Sequence, residues 1–181
     1  MNIFSNYFIK FTLLVSLLLL ITNYGLSQQN FPSPYKNIIL HDKPKDVPLI
    51  TLENKKEGKD IDIYFKKKVT AINFWATWCA PCKEEMPSLD KMVNLLGKNN
   101  VEIIAINVEA IDYQKSKLFL DDLKIKNFDS FFDKDLRVVK KLSLRGVPTT
   151  LLVNQEGKEF ARVIGSIDFA DAKFISWVKN F

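Results

Sequence analysis

Apolar residues recur along this chain in two periods. Largely apolar runs at Val69–Trp75 and at 101–108 predict strands buried on both faces. Between them Met86, Leu89, Met92, Val93 and Leu96 fall at helical spacing, which predicts a helix over 80–96 that Gly97 ends and Pro87 kinks. A second helix is expected over 112–124, with Asp112 as N-cap and Leu118, Phe119 and Leu123 inward. Residues 128–132 read as extended, and Asp135 as the cap of a helix reaching Leu142. Residues 149–154 and 159–164 predict a hairpin about Glu156-Gly157. Asp168 opens a last helix, with Phe169, Ala172, Ile175 and Val178 on one face. Ahead of the first buried strand, 49–53 and 60–65 make a hairpin whose turn holds Gly58. The sum is an α/β domain: a mixed central sheet, flanked by helices on both faces, preceded by an N-terminal β-hairpin.

The pattern divides the chain into three parts. Residues 49–181 carry the periodicity and form the domain. Residues 28–48, with Pro32, Pro34, Pro44 and Pro48, read as an irregular leader over its surface, and His41 as a solvated loop residue. In residues 1–27 a single charge, Lys10, precedes the apolar run 11–21, which suits the core of an export signal and is short for a membrane span. Cleavage after Gly25-Leu26-Ser27 leaves Gln28 first; retention makes residues 11–21 a membrane anchor. Either outcome puts the domain outside the cytoplasm, in a periplasm-like compartment.

Composition adds little to this and charge excludes one class. At 181 residues and 47% hydrophobic, with 14 phenylalanines, the chain can build one real core. The net charge of +5 comes from scattered lysines, and the run Lys66–Lys68 ends at a strand as a solvated edge, so no nucleic-acid partner is expected.

Chemistry concentrates at residues 74–82, F-W-A-T-W-C-A-P-C, which hold both cysteines of the chain. Cys79 falls at a helix N-terminus, where unpaired N–H groups and the helix dipole favour a thiolate. Cys82, one turn on, can reach back and close a small disulfide ring. Pro81 fits the first turn, where its missing N–H costs nothing. Such a ring removes little entropy from the unfolded chain, so a purely structural bridge is a poor use of the pair. A zinc site wants about four ligands, and two cysteines with one distant histidine do not supply them. No metal and no cofactor beyond the Cys79–Cys82 disulfide is expected. A second motif, Gly146-Val147-Pro148-Thr149-Thr150, precedes the strand at 151–153. Proline opening a strand cannot donate to the ladder. In a loop facing a dithiol, a cis bond at Pro148 would present Val147 to an extended substrate chain.

Together, F-W-A-T-W-C-A-P-C, Pro87 and G-V-P-T-T-L-L-V-N-Q-E-G-K resemble the thioredoxin superfamily, and within it the TlpA/ResA/DsbE-like extracytoplasmic thiol-disulfide oxidoreductases. The resemblance covers residues 49–178. It implies the thioredoxin fold, Cys79 as attacking thiol, Cys82 as resolving thiol, and Pro148 in cis opposite them. It also implies Trp75 and Trp78 around the site, with Trp78, Val147 and Thr149 meeting the substrate. Ordinary thioredoxin has a buried aspartate where this chain aligns Asn73, and an amide cannot serve as base for Cys82. The TlpA/ResA branch often carries a helix glutamate instead; Glu85 matches, with Glu84 competing.

The function so implied is disulfide exchange with extracytoplasmic proteins, cytochrome c maturation being a family example, with a membrane-embedded electron donor restoring the dithiol. Ala80-Pro81 supply neither a side-chain donor nor a cation beside Cys79, so its thiolate should not be stabilised strongly enough for an oxidant, and a reductant is expected. Three other readings compete: a periplasmic disulfide oxidant, a Cu(I)-handling module using two soft thiolates, and a redox-inert interaction domain that keeps the fold.

Overall fold

The structure is a computed structural model that describes residues 32–181. The expected signal or anchor at 1–27, including the apolar run 11–21, lies outside the described residues. The described elements are β1 (Ile38–Asp46), β2 (Thr51–Asn54), β3 (Lys59–Asp62), β4 (Val69–Trp75), α1 (Ala80–Leu96), β5 (Val101–Asn107), α2 (Tyr113–Asp122), β6 (Ser130–Phe132), α3 (Arg137–Lys141), β7 (Thr149–Asn154), β8 (Lys158–Ile164) and α4 (Ala172–Val178). Strands join in one mixed sheet of order β1-β8-β7-β4-β5-β6-β2-β3. β4, β5 and β6 run parallel, and the remaining neighbours are antiparallel. Among the described residues, no helix is long and apolar enough to cross a membrane.

The central strands are apolar on both faces because both are covered. Ile72 and Phe74 of β4, Ile104 and Ile106 of β5, and Leu151 and Val153 of β7 share one core with Ile50, Leu52 and Ile63 of the N-terminal hairpin region and Val138 of α3. The alternate residues face the other way. There Asn73 meets Glu85 of α1, and Trp75 stacks on Phe119 of α2 with ring centroids 5.1 Å apart. Cys82, Glu85, Met86, Leu89, Met92 and Val93 make up the buried side of α1.

Several expectations are corrected. Residues 38–46, expected within the irregular leader at 28–48, form β1 on β8. Proline is tolerated because β1 is an edge strand whose register with β8 shifts between Leu40 and Lys45, and Pro44 sits in that irregular stretch. His41 is accordingly no solvated loop residue: its Nε2 lies 2.9 Å from Glu159 Oε1, and Arg162 grips the same carboxylate. Burial pushes the Glu159 carboxyl up, but the bonds from Arg162 and His41 outweigh it and hold the group below the usual range.

In α2 the inward positions are Ser116 and Leu120, one helical turn apart, with Phe119 against Trp75; Leu118, on the opposite side, is 63% exposed. The cap of α3 is Asp133, whose two oxygens accept from Val138 N (2.9 Å) and Val139 N (2.8 Å), whereas Asp135 takes a left-handed backbone. The cap of α4 is Asp171, accepting from Lys173 N and Phe174 N, while Asp168 only closes the preceding turn onto Ala170 N. Phe169 is buried ahead of that helix, edge-on to Phe174, and Ala172 is exposed.

Candidate active site

β4 ends at Trp75, a short loop carries Thr77 and Trp78, and Cys79 is the N-cap of α1. Cys79 and Cys82 are joined as a disulfide. The first free N–H of the helix aimed at sulfur is that of Cys82, which donates to Cys79 Sγ over 3.2 Å, with Pro81 in the same turn. This arrangement would favour negative charge on Cys79 once the bond is reduced. Both residues are buried in the disulfide form, Cys79 4% exposed and Cys82 0%. Trp78 beside them is 70% exposed.

The register of β4 with β7 brings the second motif to the same end of the sheet. Phe74 pairs with Thr149, so the chain before Thr149 leaves the sheet next to the chain after Phe74. The Val147–Pro148 bond there is cis. Val147 is half-buried, and neither its N–H nor its C=O makes a hydrogen bond among the described residues. Thr149 differs from what the resemblance implied: it is buried, its hydroxyl donates to Gly146 O over 2.7 Å, and its neighbours in the ladder are Phe74 and Ile164. It shapes the loop, and its hydroxyl is not left for a substrate.

Behind the disulfide, Glu85 lies on the same side of α1 as Cys82, three residues on, and is 2% exposed; Glu84 points to solvent. Asn73 Nδ2 donates to Glu85 Oε1 (2.8 Å) and to Thr150 Oγ1 (2.8 Å), so a cross-strand pair of β4 and β7 aims an amide at the carboxyl. Burial pushes the Glu85 carboxyl up to about 8, against the Asn73 bond and the nearby Ile167 backbone, which favour the charged form. Glu85 Oε2 and Asn73 Oδ1 have no partner among the described residues, which makes a buried negative charge there costlier still. A cavity of about 610 Å³ is lined by Glu84, Glu85, Ser88, Ile167 and Asp168.

Two contributors went unread in the sequence. Thr150 sits inside an apolar strand, and only its pairing with Asn73 gives it a task. Glu109, two residues past β5, accepts from Thr77 N and Thr77 Oγ1 and is steadied by Asn107, tying the loop before Cys79 to the end of the neighbouring strand. An acidic residue just beyond a buried strand next to the site was the available signal. His41 is held by Glu159. Among the described residues no group of three or more His, Cys, Asp or Glu side chains is placed to hold a metal ion.

With this geometry in place, the chain can be set beside known proteins. Residues 44–158 match the AhpC/TSA family. The chain is 33% identical to the thiol-disulfide oxidoreductase ResA of Bacillus cereus over 110 residues, 60% of this chain and 62% of that protein. It is 34% identical to ResA of Bacillus subtilis over 126 residues, 67% of each. The match thus spans somewhat less than two thirds of the length of the Bacillus cereus relative. Among solved structures, a secreted thiol-disulfide isomerase from Corynebacterium glutamicum superposes with a TM-score of 0.65 at 25% identity, covering 82% of this chain and 96% of that one.

Proposed function

The chain belongs to the AhpC/TSA family of thioredoxin-like proteins, and from that premise we propose that it is a thiol-disulfide oxidoreductase that reduces disulfides of proteins outside the cytoplasm. The observation that carries the reading is the Cys79–Cys82 disulfide at the N-terminus of α1, beside a cis proline loop and in front of a buried carboxyl. In the dithiol form, Cys79 thiolate attacks a substrate disulfide; one substrate sulfur leaves and takes a proton, and the other stays bonded to Cys79. Cys82 then gives its proton to Glu85, attacks Cys79, and releases the second substrate thiolate. Two electrons pass to the substrate and the Cys79–Cys82 bond is re-formed. A carboxyl with a pKa of about 8 is matched to taking and returning a thiol proton near neutrality. Trp78 and the free Val147 backbone are the substrate's landing points, with Pro148 shaping the loop between them.

The direction follows from what surrounds Cys79. The Cys82 N–H and the helix end stabilise its thiolate, and Ala80 and Pro81 add no donor or cation. That supports a low potential, restored by a membrane-embedded dithiol donor. Apocytochrome c is a substrate consistent with the family. Equilibration of the purified domain against dithiothreitol should place the potential near that of thioredoxin, about −270 mV. A value near about −120 mV would make the protein an oxidant, and a pair that does not exchange at all would return the redox-inert reading. In the same preparation Cys82→Ser should accumulate mixed disulfides with substrate proteins, and Cys79→Ser should not.

A further inference from the structure

A groove of about 890 Å³ runs beside the cis proline loop. Val147 and Pro148 line it together with Ile39 of β1 and Ile164 of β8. Both isoleucines are large apolar side chains left open to solvent. The two sheet strands that present them are paired directly, so the apolar floor is part of the fold rather than a loose flap. Two exposed cations, Lys36 and Arg145, stand at this groove, and neither makes an ion pair or hydrogen bond among the described residues. A third, Arg162, is spent on Glu159 and on Leu142 O. Among the described residues no carboxylate lines the groove. The cavity at Glu85, lined by Ser166 next to Gly165 of the groove, carries Glu84 and Asp168 against the single cation Lys91.

Resting on the exchange reading above, we infer that the groove selects substrate segments that are acidic: an extended stretch carrying one or two Asp or Glu close to the target cysteine, beside an apolar residue. Such a stretch can pair with the free Val147 N–H and C=O as an added strand. Its alternate side chains then meet Ile39 and Ile164, and its carboxylates find Lys36 and Arg145, two cations with no internal partner to give up. The adjoining acidic cavity repels the same segment, so attraction and repulsion favour one orientation. A basic segment meets the reverse pattern and is disfavoured in this register.

The test uses two peptides, each with one internal disulfide, identical except that residues beside the target cysteine are Glu in one and Lys in the other. Reduction by the dithiol form is followed by stopped flow. The Glu peptide should react about tenfold faster at low ionic strength, as charge-steered encounters do, and the ratio should shrink in high salt. The double variant Lys36→Glu/Arg145→Glu should abolish or invert the ratio while exchanging with dithiothreitol at the unaltered rate. Equal rates for the two peptides with the unaltered chain, or a preference that persists in the variant, would overturn the proposal while leaving the exchange reading intact. Failure of the unaltered chain's Cys79–Cys82 disulfide to be reduced even by dithiothreitol would overturn that reading and this one with it.

Discussion

At Glu85 one side chain's surroundings decide its chemistry. The carboxyl sits among Cys82, Met86 and Leu89 on the buried side of α1, one oxygen on Asn73 and the other unpartnered among the described residues. Its pKa rises from 4.5 to about 8. Between those values the folded oxidised protein keeps a proton that the unfolded chain has lost. Folding stability from this group is therefore complete below the unfolded pKa and is lost as pH rises through about 8. Glu85→Gln cannot ionise and should remove that decline. Urea denaturation of the disulfide forms at pH 5, 7 and 9 should show the unaltered chain losing stability relative to E85Q, by an amount on the order of a few kcal/mol over the span, since one pKa unit is worth about 1.4 kcal/mol. A constant difference across the three pH values would mean that Glu85 does not titrate there. The choice between Glu85 and Glu84 was latent in the sequence: Glu85 follows Cys82 by three and precedes Leu89 by four, on the stripe that faces the sheet.

Among the elements, the strongly periodic ones were legible and the short ones were not. The bounds of β4 and α1 follow from an apolar run and from a stripe closed by Gly97. α3 is only five residues long, and two aspartates, Asp133 and Asp135, lie just ahead of its start. Which of them caps it depends on the path of the chain leaving β6, and that path brings Asp133 under Val138 and Val139. Asp133→Ala should cost about 1–2 kcal/mol. Asp135→Asn, which suits the left-handed backbone at that position, should stay within about 0.5 kcal/mol. Urea midpoints of the two variants decide between the caps, and a larger loss at position 135 would reinstate the sequence-based choice. β1 was missed for a related reason: the prolines around it read as loop, and only the edge position on β8 makes one of them tolerable.

For the whole molecule, redox state and stability are joined by one thermodynamic cycle. A protein of low potential holds its disulfide more firmly in the folded state, whereas a strong oxidant is more stable reduced. The proposed reductant should therefore unfold at a higher urea concentration with Cys79–Cys82 joined than with the two thiols free. Tryptophan fluorescence of the oxidised and reduced forms measures this directly, with Trp75 buried on Phe119 and Trp177 against Phe160 as reporters. A more stable reduced form would reverse the assigned direction.

The sequence by itself determined the α/β order, the strand-to-helix junction holding the dithiol, and the proline loop that accompanies it. Each of these is written in local periodicity, in the spacing of Cys79 and Cys82, or in backbone chemistry peculiar to proline. Only the tertiary structure decided that Asn73, itself bonded to Thr150, holds Glu85, that Glu109 holds the loop before Cys79, that His41 serves a buried carboxylate, and that Lys36 and Arg145 flank one groove. Those groups are far apart along the chain, between 12 and 118 residues for the bonds of Glu85 and His41. Nothing local in the sequence encodes them, because strand register and helix rotation set which side chains meet, and both are settled by burying the apolar faces together.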